Sequence, residues 1–268
     1  MALVTDKNFY MEKDLMLNLD FLLERNKKGW DNVIIIDGME RSGKSTIGRQ
    51  IGYYLAYKRR KGFSAKNVFF DADKIFEYAM KTRGQTIIWD EAALGGMSED
   101  RYKQVQQILI KMLMTAAKYH HNFIFIIPKI RKLSDYLAED RSIALIRVLA
   151  VDNIERGYYN AYGFEKKNII SQMERRKQRH SCTRDFRGRF FSYEDKPAQE
   201  VLDIKEYELK KDEAIKRLKY VDKKQYDALL KLSKLVEVIK SKKLMTKVEM
   251  AREIGVDASF MSRLPRIK

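Results

Sequence analysis

Ile34-Ile35-Ile36-Asp37-Gly38-Met39-Glu40-Arg41-Ser42-Gly43-Lys44-Ser45-Thr46 is the stretch that decides the fold. Its β-branched run reads as a buried strand, and the run stops at Gly38. Gly43, Lys44 and Ser45 then complete the spacing G-x-x-x-x-G-K-[ST]. Beyond them Ile47, Ile51, Tyr54 and Leu55 recur at helical intervals. A strand before and a helix after are the setting in which this spacing makes a phosphate loop, not a chance glycine turn. Main-chain N–H groups from Gly38 to Thr46, through Met39, Glu40, Arg41, Ser42, Gly43, Lys44 and Ser45, are expected to wrap a polyphosphate, with the positive end of the helix behind them. Lys44 is expected to reach the β- and γ-phosphates of ATP, and the Ser45 hydroxyl to hold Mg²⁺.

Working outward, Thr86 to Trp89 is an apolar strand that runs straight into Asp90-Glu91. Beside a phosphate loop, the first carboxylate suits Mg²⁺ and the second a general base that polarises water. By itself the pair would read as a helix cap. Gly95-Gly96 follows as a flexible loop, and Ser98 is expected to cap the next helix. Val105, Ile108, Leu109, Met112, Leu113 and Ala116 form that helix's core stripe. His120 and His121 suit its C-terminal end, with no third ligand to make a metal site.

The remaining strands are read at Val33 to Ile36, Asn67 to Phe70, Phe123 to Ile127 and Ile143 to Val151. Asp71 or Asp73 is expected to cap a helix around Ile75 to Met80, and Arg131 to Arg141 is a short helix or loop. The alternation predicts an α/β fold: a mainly parallel five-stranded sheet between helices, with the ligand at the carboxyl ends of the strands. Residues 31–165 form this domain. Residues 1–30 are a helical extension that covers the sheet or meets a neighbouring subunit, and the aromatic stretch Gly157 to Phe164 closes a sheet edge.

The Gly38–Ser45 loop, the acidic strand ending in Asp90-Glu91 and a further strand after the next helix together resemble the P-loop ATPases with an additional strand and a catalytic glutamate. Within that class, residues 30–165 resemble the FtsK–HerA and zonula-occludens-toxin-like motors of phages and mobile elements. The resemblance implies ATP hydrolysis with Lys44 and Glu91 as catalytic residues and Ser45 and Asp90 at the metal. It also implies a homo-oligomer, such as a ring, in which a neighbour's arginine completes the site. Arg131, Arg141 and Arg147 lie in the plausible region, and Arg141 is preferred. Pro128-Lys129 stands at the strand tip where the FtsK–HerA group commonly carries glutamine.

Of 54 Lys and Arg residues, 28 lie from Phe164 onward, against 17 of the 37 acidic ones, so most of the +17 net charge sits outside the phosphate-loop domain. That excess points to a polyanion partner, unless it reflects a lysine-rich background. In the connector 166–203, Arg175, Arg176, Lys177, Arg179, Arg184, Arg187 and Arg189 crowd together with Phe186, Phe190 and Phe191 among them. This pattern suits phosphate contact and base stacking; it also fits a solvated basic loop. Residues 204–268 read as a helical module: a charged, solvent-facing helix from Ile204 to Leu218, then a tail resembling a helix-turn-helix around Ala251 and Gly255. Ser259, Ser262 and Arg263 would be on its exposed side, facing DNA; an ordinary helical hairpin packs in the same way.

One cysteine, Cys182, excludes a disulfide framework. No apolar run reaches membrane-spanning length and no signal pattern opens the chain, so a cytoplasmic protein is expected. The function expected is a Mg²⁺-dependent ATPase coupled to nucleic acid, a DNA translocation or packaging motor. Two alternatives stay open. Asp100-Arg101-Tyr102 and the loop also resemble thymidylate kinases, which implies a nucleotide kinase. A DNA-binding regulator with ATP-switched assembly would use the same loop without turnover.

Overall fold

The computed structural model describes residues 2–3, 10–91, 99–151, 155–179, 181–191, 204–215, 232, 235–236, 239, 246–253, 257 and 259. The chain divides into two compact units, 1–214 and 215–268.

In the first unit, β1 (Ala2–Leu3) and β2 (Tyr10–Met11) form a small antiparallel pair. α1 (Lys13–Lys27) follows, burying Leu15, Leu19, Leu22 and Asn26 along one face. β3 (Asn32–Gly38) is the spine of the main sheet. Val33, Ile34, Ile35 and Ile36 are buried on both of its faces, as befits a central strand covered by helices on each side. β6 (Asn122–Ile126) and β7 (Ala144–Val151) flank β3, both parallel to it. β5 (Thr86–Asp90) pairs parallel with β6, and the short β4 (Val68–Phe69) pairs parallel with β5. A strand therefore stands between the one that ends in the glycine loop and the one that ends in the acidic pair. Trp89 is fully buried in β5, edge-on to Phe125 of β6 at 5.7 Å.

The sheet has seven strands, not five, in the order β4-β5-β6-β3-β7-β8-β9. β8 (Glu155–Tyr162) turns back antiparallel on β7, and β9 (Phe186–Arg189) antiparallel on β8. The aromatic stretch expected to close the sheet edge is instead the full strand β8, which buries Tyr159 and Ala161 on one face and leaves the edge to β9. β9 has only four residues, two of them arginine, so its own pattern is too short to register. Its pairing comes from β8.

The helices follow from familiar causes. α2 (Lys44–Lys58) starts at the glycine loop and buries Ile47, Ile51, Tyr54 and Leu55. The Tyr54 hydroxyl donates to Asp20 of α1 at 2.6 Å. α3 (Ala72–Lys81) is capped by Asp71, which accepts from the Asp73 and Lys74 N–H groups at 3.0 and 3.3 Å. In α4 (Glu99–Ala116), Leu109, Met112, Leu113 and Ala116 are buried, so its methionine stripe is core. His121 is a buried neutral group: its Nδ1 accepts from Gln85 N–H and its Nε2 lies 3.0 Å from the Ala79 carbonyl. The expected loop from 131 to 141 contains a 3₁₀ turn at Ile130–Lys132 and a π-helical turn at Tyr136–Arg141. α5 (Phe164–Arg175) returns across the sheet. α6, residues 204–215, closes the first unit.

In the second unit, α7 (Lys247–Glu253) opens with a reciprocal cap between Thr246 and Glu249, at 2.7 and 3.3 Å. Val236, Met250 and Ala251 form a small core with Ile239 against it. Gly255, Ser262 and Arg263 of the expected helix-turn-helix lie outside the described residues, as do Gly95, Gly96 and Ser98 of the first unit. Among the described residues, no helix is long and apolar enough to cross a membrane.

Candidate functional site

The carboxyl ends of β3 and β5 bring the glycine loop and the acidic pair to one edge of the sheet. Two glycines shape the loop. Gly38 has φ +143°, and a Cβ there would meet the Val148 carbonyl oxygen at 2.4 Å. Gly43 has φ +101°, and a Cβ there would strike the Phe190 ring at 2.8 Å. Both positions demand glycine on backbone and steric grounds. Between them Arg41 adopts φ +60°, and Ser42 N–H closes a turn onto the Met39 carbonyl at 3.3 Å. α2 then begins without a side-chain cap and without an acidic residue in its first turn. Its leading N–H donors face the loop with their positive potential undiminished.

Lys44 folds over this loop. Its ammonium donates to the Gly38 and Met39 carbonyls at 2.9 and 2.6 Å. Burial lowers its pKa, while Asp90, Asp37, Glu40 and Glu91, in that order of strength, oppose the shift. The lysine, the loop and the acidic pair are thus brought together.

Asp90 is fully buried, and its Oδ2 accepts from the Tyr207 hydroxyl of α6 at 2.8 Å. Glu91 is 6% exposed, and among the described residues its Oε2 has no hydrogen-bond partner. Burial pushes its carboxyl up to about 7; Lys132 pulls it down, Asp90 pushes it up, and Tyr102 and Lys44 pull it down further.

Behind the loop, Asp37 is buried and receives both Nε and one terminal nitrogen of Arg147, at 2.9 and 2.6 Å, with Ile130 N–H at 3.1 Å. Arg147 also pairs with Glu174 at 2.7 Å. Burial opposes the charge on Arg147, yet these two carboxylates raise its pKa above the ordinary range. This network fixes the strand just before Gly38.

Arg141 is not brought to the loop. It pairs with Asp31 and donates to the Leu113 carbonyl at 3.3 Å. Asp31 immediately precedes β3, so this pair sits at the opposite end of the sheet, on the order of 20 Å from Gly38 along the strand. The basic stretch is also divided. Arg175 is spent on Asp135, on Glu139 at 3.5 Å and on the Leu133 carbonyl at 2.8 Å. Arg176, Lys177, Arg179, Arg184, Arg187 and Arg189 are exposed. Arg187 and Arg189 hold their guanidinium groups 5.0 and 4.8 Å from the Tyr158 ring centre. The Ser259 N–H donates to Asp257 at 2.7 Å in the second unit.

Tyr102 and Tyr207 escaped sequence reasoning. Tyr102 carried a weak signal, since the tripeptide around it was noticed for another reason; the side chains of Asp100 and Arg101 lie outside the described residues. Tyr207 carried none, because its neighbours read as a charged surface. The solvent-facing reading of this helix is corrected at that position: Tyr207 is 0% exposed.

The residues fit a magnesium-bound nucleoside triphosphate. The glycine positions leave no room for Cβ atoms; among the described residues, Glu91 Oε2 and Ser42 Oγ are buried without hydrogen-bond partners and Lys44 bonds only to main-chain carbonyls. Among the described residues no group of three or more His, Cys, Asp and Glu side chains could hold a metal. Magnesium does not need one, because one or two carboxylates, water and phosphate oxygens satisfy it.

No family model matches the chain, and no curated protein matches it in sequence. Among solved structures it is similar to the KaiC-like protein PH0186 from the archaeon Pyrococcus horikoshii, with 18% identity and a TM-score of 0.36 over 51% of this chain and 80% of that one. It is also similar to the flagellar accessory protein FlaH from Methanocaldococcus jannaschii, with 12% identity and a TM-score of 0.29 over 54% of this chain and 86% of that one.

Proposed function

We propose that the chain is a Mg²⁺-dependent ATPase whose turnover is coupled to nucleic acid, in the manner of a DNA translocation or packaging motor. The observation that carries hydrolysis is Glu91: a buried carboxyl raised to about 7, with an unpartnered oxygen, beside Lys44 and one residue beyond Asp90. What supports water over a nucleoside monophosphate as acceptor is that β6 stands between β3 and β5, as the additional strand does in the ATPases this chain resembles.

Lys44 would leave the Gly38 and Met39 carbonyls for phosphate oxygens, a stronger, charge-assisted exchange. Ser45 and Asp90 would hold the magnesium ion, which supplies charge neutralisation at the phosphates. Glu91 Oε2 would accept the proton of the attacking water, a role worth about 10²–10⁴ in rate. What supports a polyanion partner is the exposed set Arg176, Lys177, Arg179, Arg184, Arg187 and Arg189, together with the arginine-flanked Tyr158. Assembly into a ring belongs to this proposal, with no arginine donor assigned.

The test is Mg²⁺-dependent phosphate release from ATP, with and without single- and double-stranded DNA. Release stimulated by DNA and abolished in Lys44→Ala and Glu91→Gln is expected. Release indifferent to DNA removes the coupling, and transfer to nucleoside monophosphates removes the hydrolase.

A further inference from the structure

Tyr207 is separated from Asp90 by 117 positions, yet its hydroxyl donates to the Asp90 carboxylate at 2.8 Å with both groups fully buried. Its ring packs on Phe70 at 5.7 Å between centres and lies under the Arg49 guanidinium at 4.0 Å. Arg49 in turn donates to the Ser45 carbonyl at 3.2 Å. The two residues assigned to the metal, Ser45 and Asp90, are therefore each tied to one tyrosine of α6. A second anchor holds the same helix: the Lys210 ammonium donates to the Ala65 and Val68 carbonyls at 2.6 and 3.0 Å.

We infer that Tyr207 is a positioning residue for the magnesium carboxylate, and that α6 docking and Mg²⁺–nucleotide binding support one another. This rests on the assignment of Asp90 to the metal. A carboxylate offers about four lone-pair sites, so accepting the Tyr207 hydroxyl at Oδ2 is compatible with contact to an ion or its water. Outer partners of this kind set the direction and basicity of the liganding oxygen. Linkage then requires reciprocity: if a docked α6 tightens Mg²⁺–nucleotide binding, bound Mg²⁺–nucleotide tightens α6 by the same factor.

The experiment titrates Mg²⁺ into the full chain with a fluorescent ATP analogue, comparing wild type with Tyr207→Phe, which keeps the ring and removes only the hydroxyl. The half-saturating Mg²⁺ concentration is expected to rise by about 10-fold or more, while analogue affinity in EDTA stays within about twofold. Hydrogen exchange supplies a second readout without mutation: amides in 204–215 of the wild type are expected to slow when Mg²⁺–ATP binds. An unchanged Mg²⁺ curve in Tyr207→Phe, or α6 amides indifferent to Mg²⁺–ATP in the wild type, overturns the inference alone. Wild-type binding that ignores Mg²⁺ overturns the assignment of Asp90 and this inference with it.

Discussion

Burial raises the Glu91 carboxyl from its ordinary 4.5 to about 7, so between these values the native chain holds a proton that the unfolded chain has lost. The stability this group allows is complete below about pH 4.5 and falls as pH rises through 7. By pH 8 the cost approaches about 3 kcal/mol. Glu91→Gln should therefore be more stable than wild type at pH 8 by up to that amount in urea unfolding, while phosphate release falls about 10²–10⁴-fold. The wild-type kcat/KM profile should rise through about pH 7 as the base ionises. His121 has the opposite sign of charge. Its folded pKa is lowered by burial, so its contribution is complete above the unfolded value of 6.5 and fades as pH falls below it. Glu91 works against this trend over the same range, so thermal unfolding from pH 7.5 to 5 should show the His121 slope in Glu91→Gln, and adding His121→Gln should flatten it. Lys44, Ser45, Asp90 and Glu91 were legible in the sequence because each is fixed by local spacing to a strand end. Asp37–Arg147 was not, because only the parallel register of β3 and β7 places them side by side.

Elements were legible where a period ran long enough. β3, β5 and β6 carry unbroken apolar runs, β7 one broken only by Arg147, and α4 carries its stripe for about three turns. β9 lacked such a run; α6 was legible as a helix, but not in the side chains it buries. β9 exists through its partner strand, and α6 inserts one tyrosine and one lysine stem from an otherwise charged surface. The phosphate loop is an element whose shape is testable. Gly43→Ala places a methyl at φ +101° against Phe190 and should abolish nucleotide binding. Adding Phe190→Ala should not restore it, because the positive φ still penalises alanine. At the start of α3, Asp71→Ala removes a cap worth about 1 kcal/mol. That should lower the unfolding midpoint by about 2–4 °C without altering nucleotide affinity. A change in affinity would tie α3 to the site.

At the scale of the whole molecule, the +17 charge becomes informative only once its placement is known. Arg175 is consumed within the fold, whereas Arg187 and Arg189, on the edge strand, have no ion pair among the described residues and lie against Tyr158. If they meet duplex phosphates, the double variant Arg187→Ala/Arg189→Ala should make the slope of log affinity against log salt shallower by about 2. An unchanged slope would move the nucleic-acid surface elsewhere. The buried edge-on contact of Trp89 in β5 with Phe125 in β6 has an optical consequence. The chain has two tryptophans. Trp30 is 59% exposed, whereas Trp89 is sealed in the sheet directly before Asp90 and Glu91. Acrylamide should extinguish the first emitter and spare the second. In Trp30→Phe, the remaining blue-shifted emission then comes from a chromophore one peptide bond from Asp90, the carboxylate proposed to hold the metal. The protein thus carries its own gauge of what happens at the strand tip, readable in a cuvette without any label.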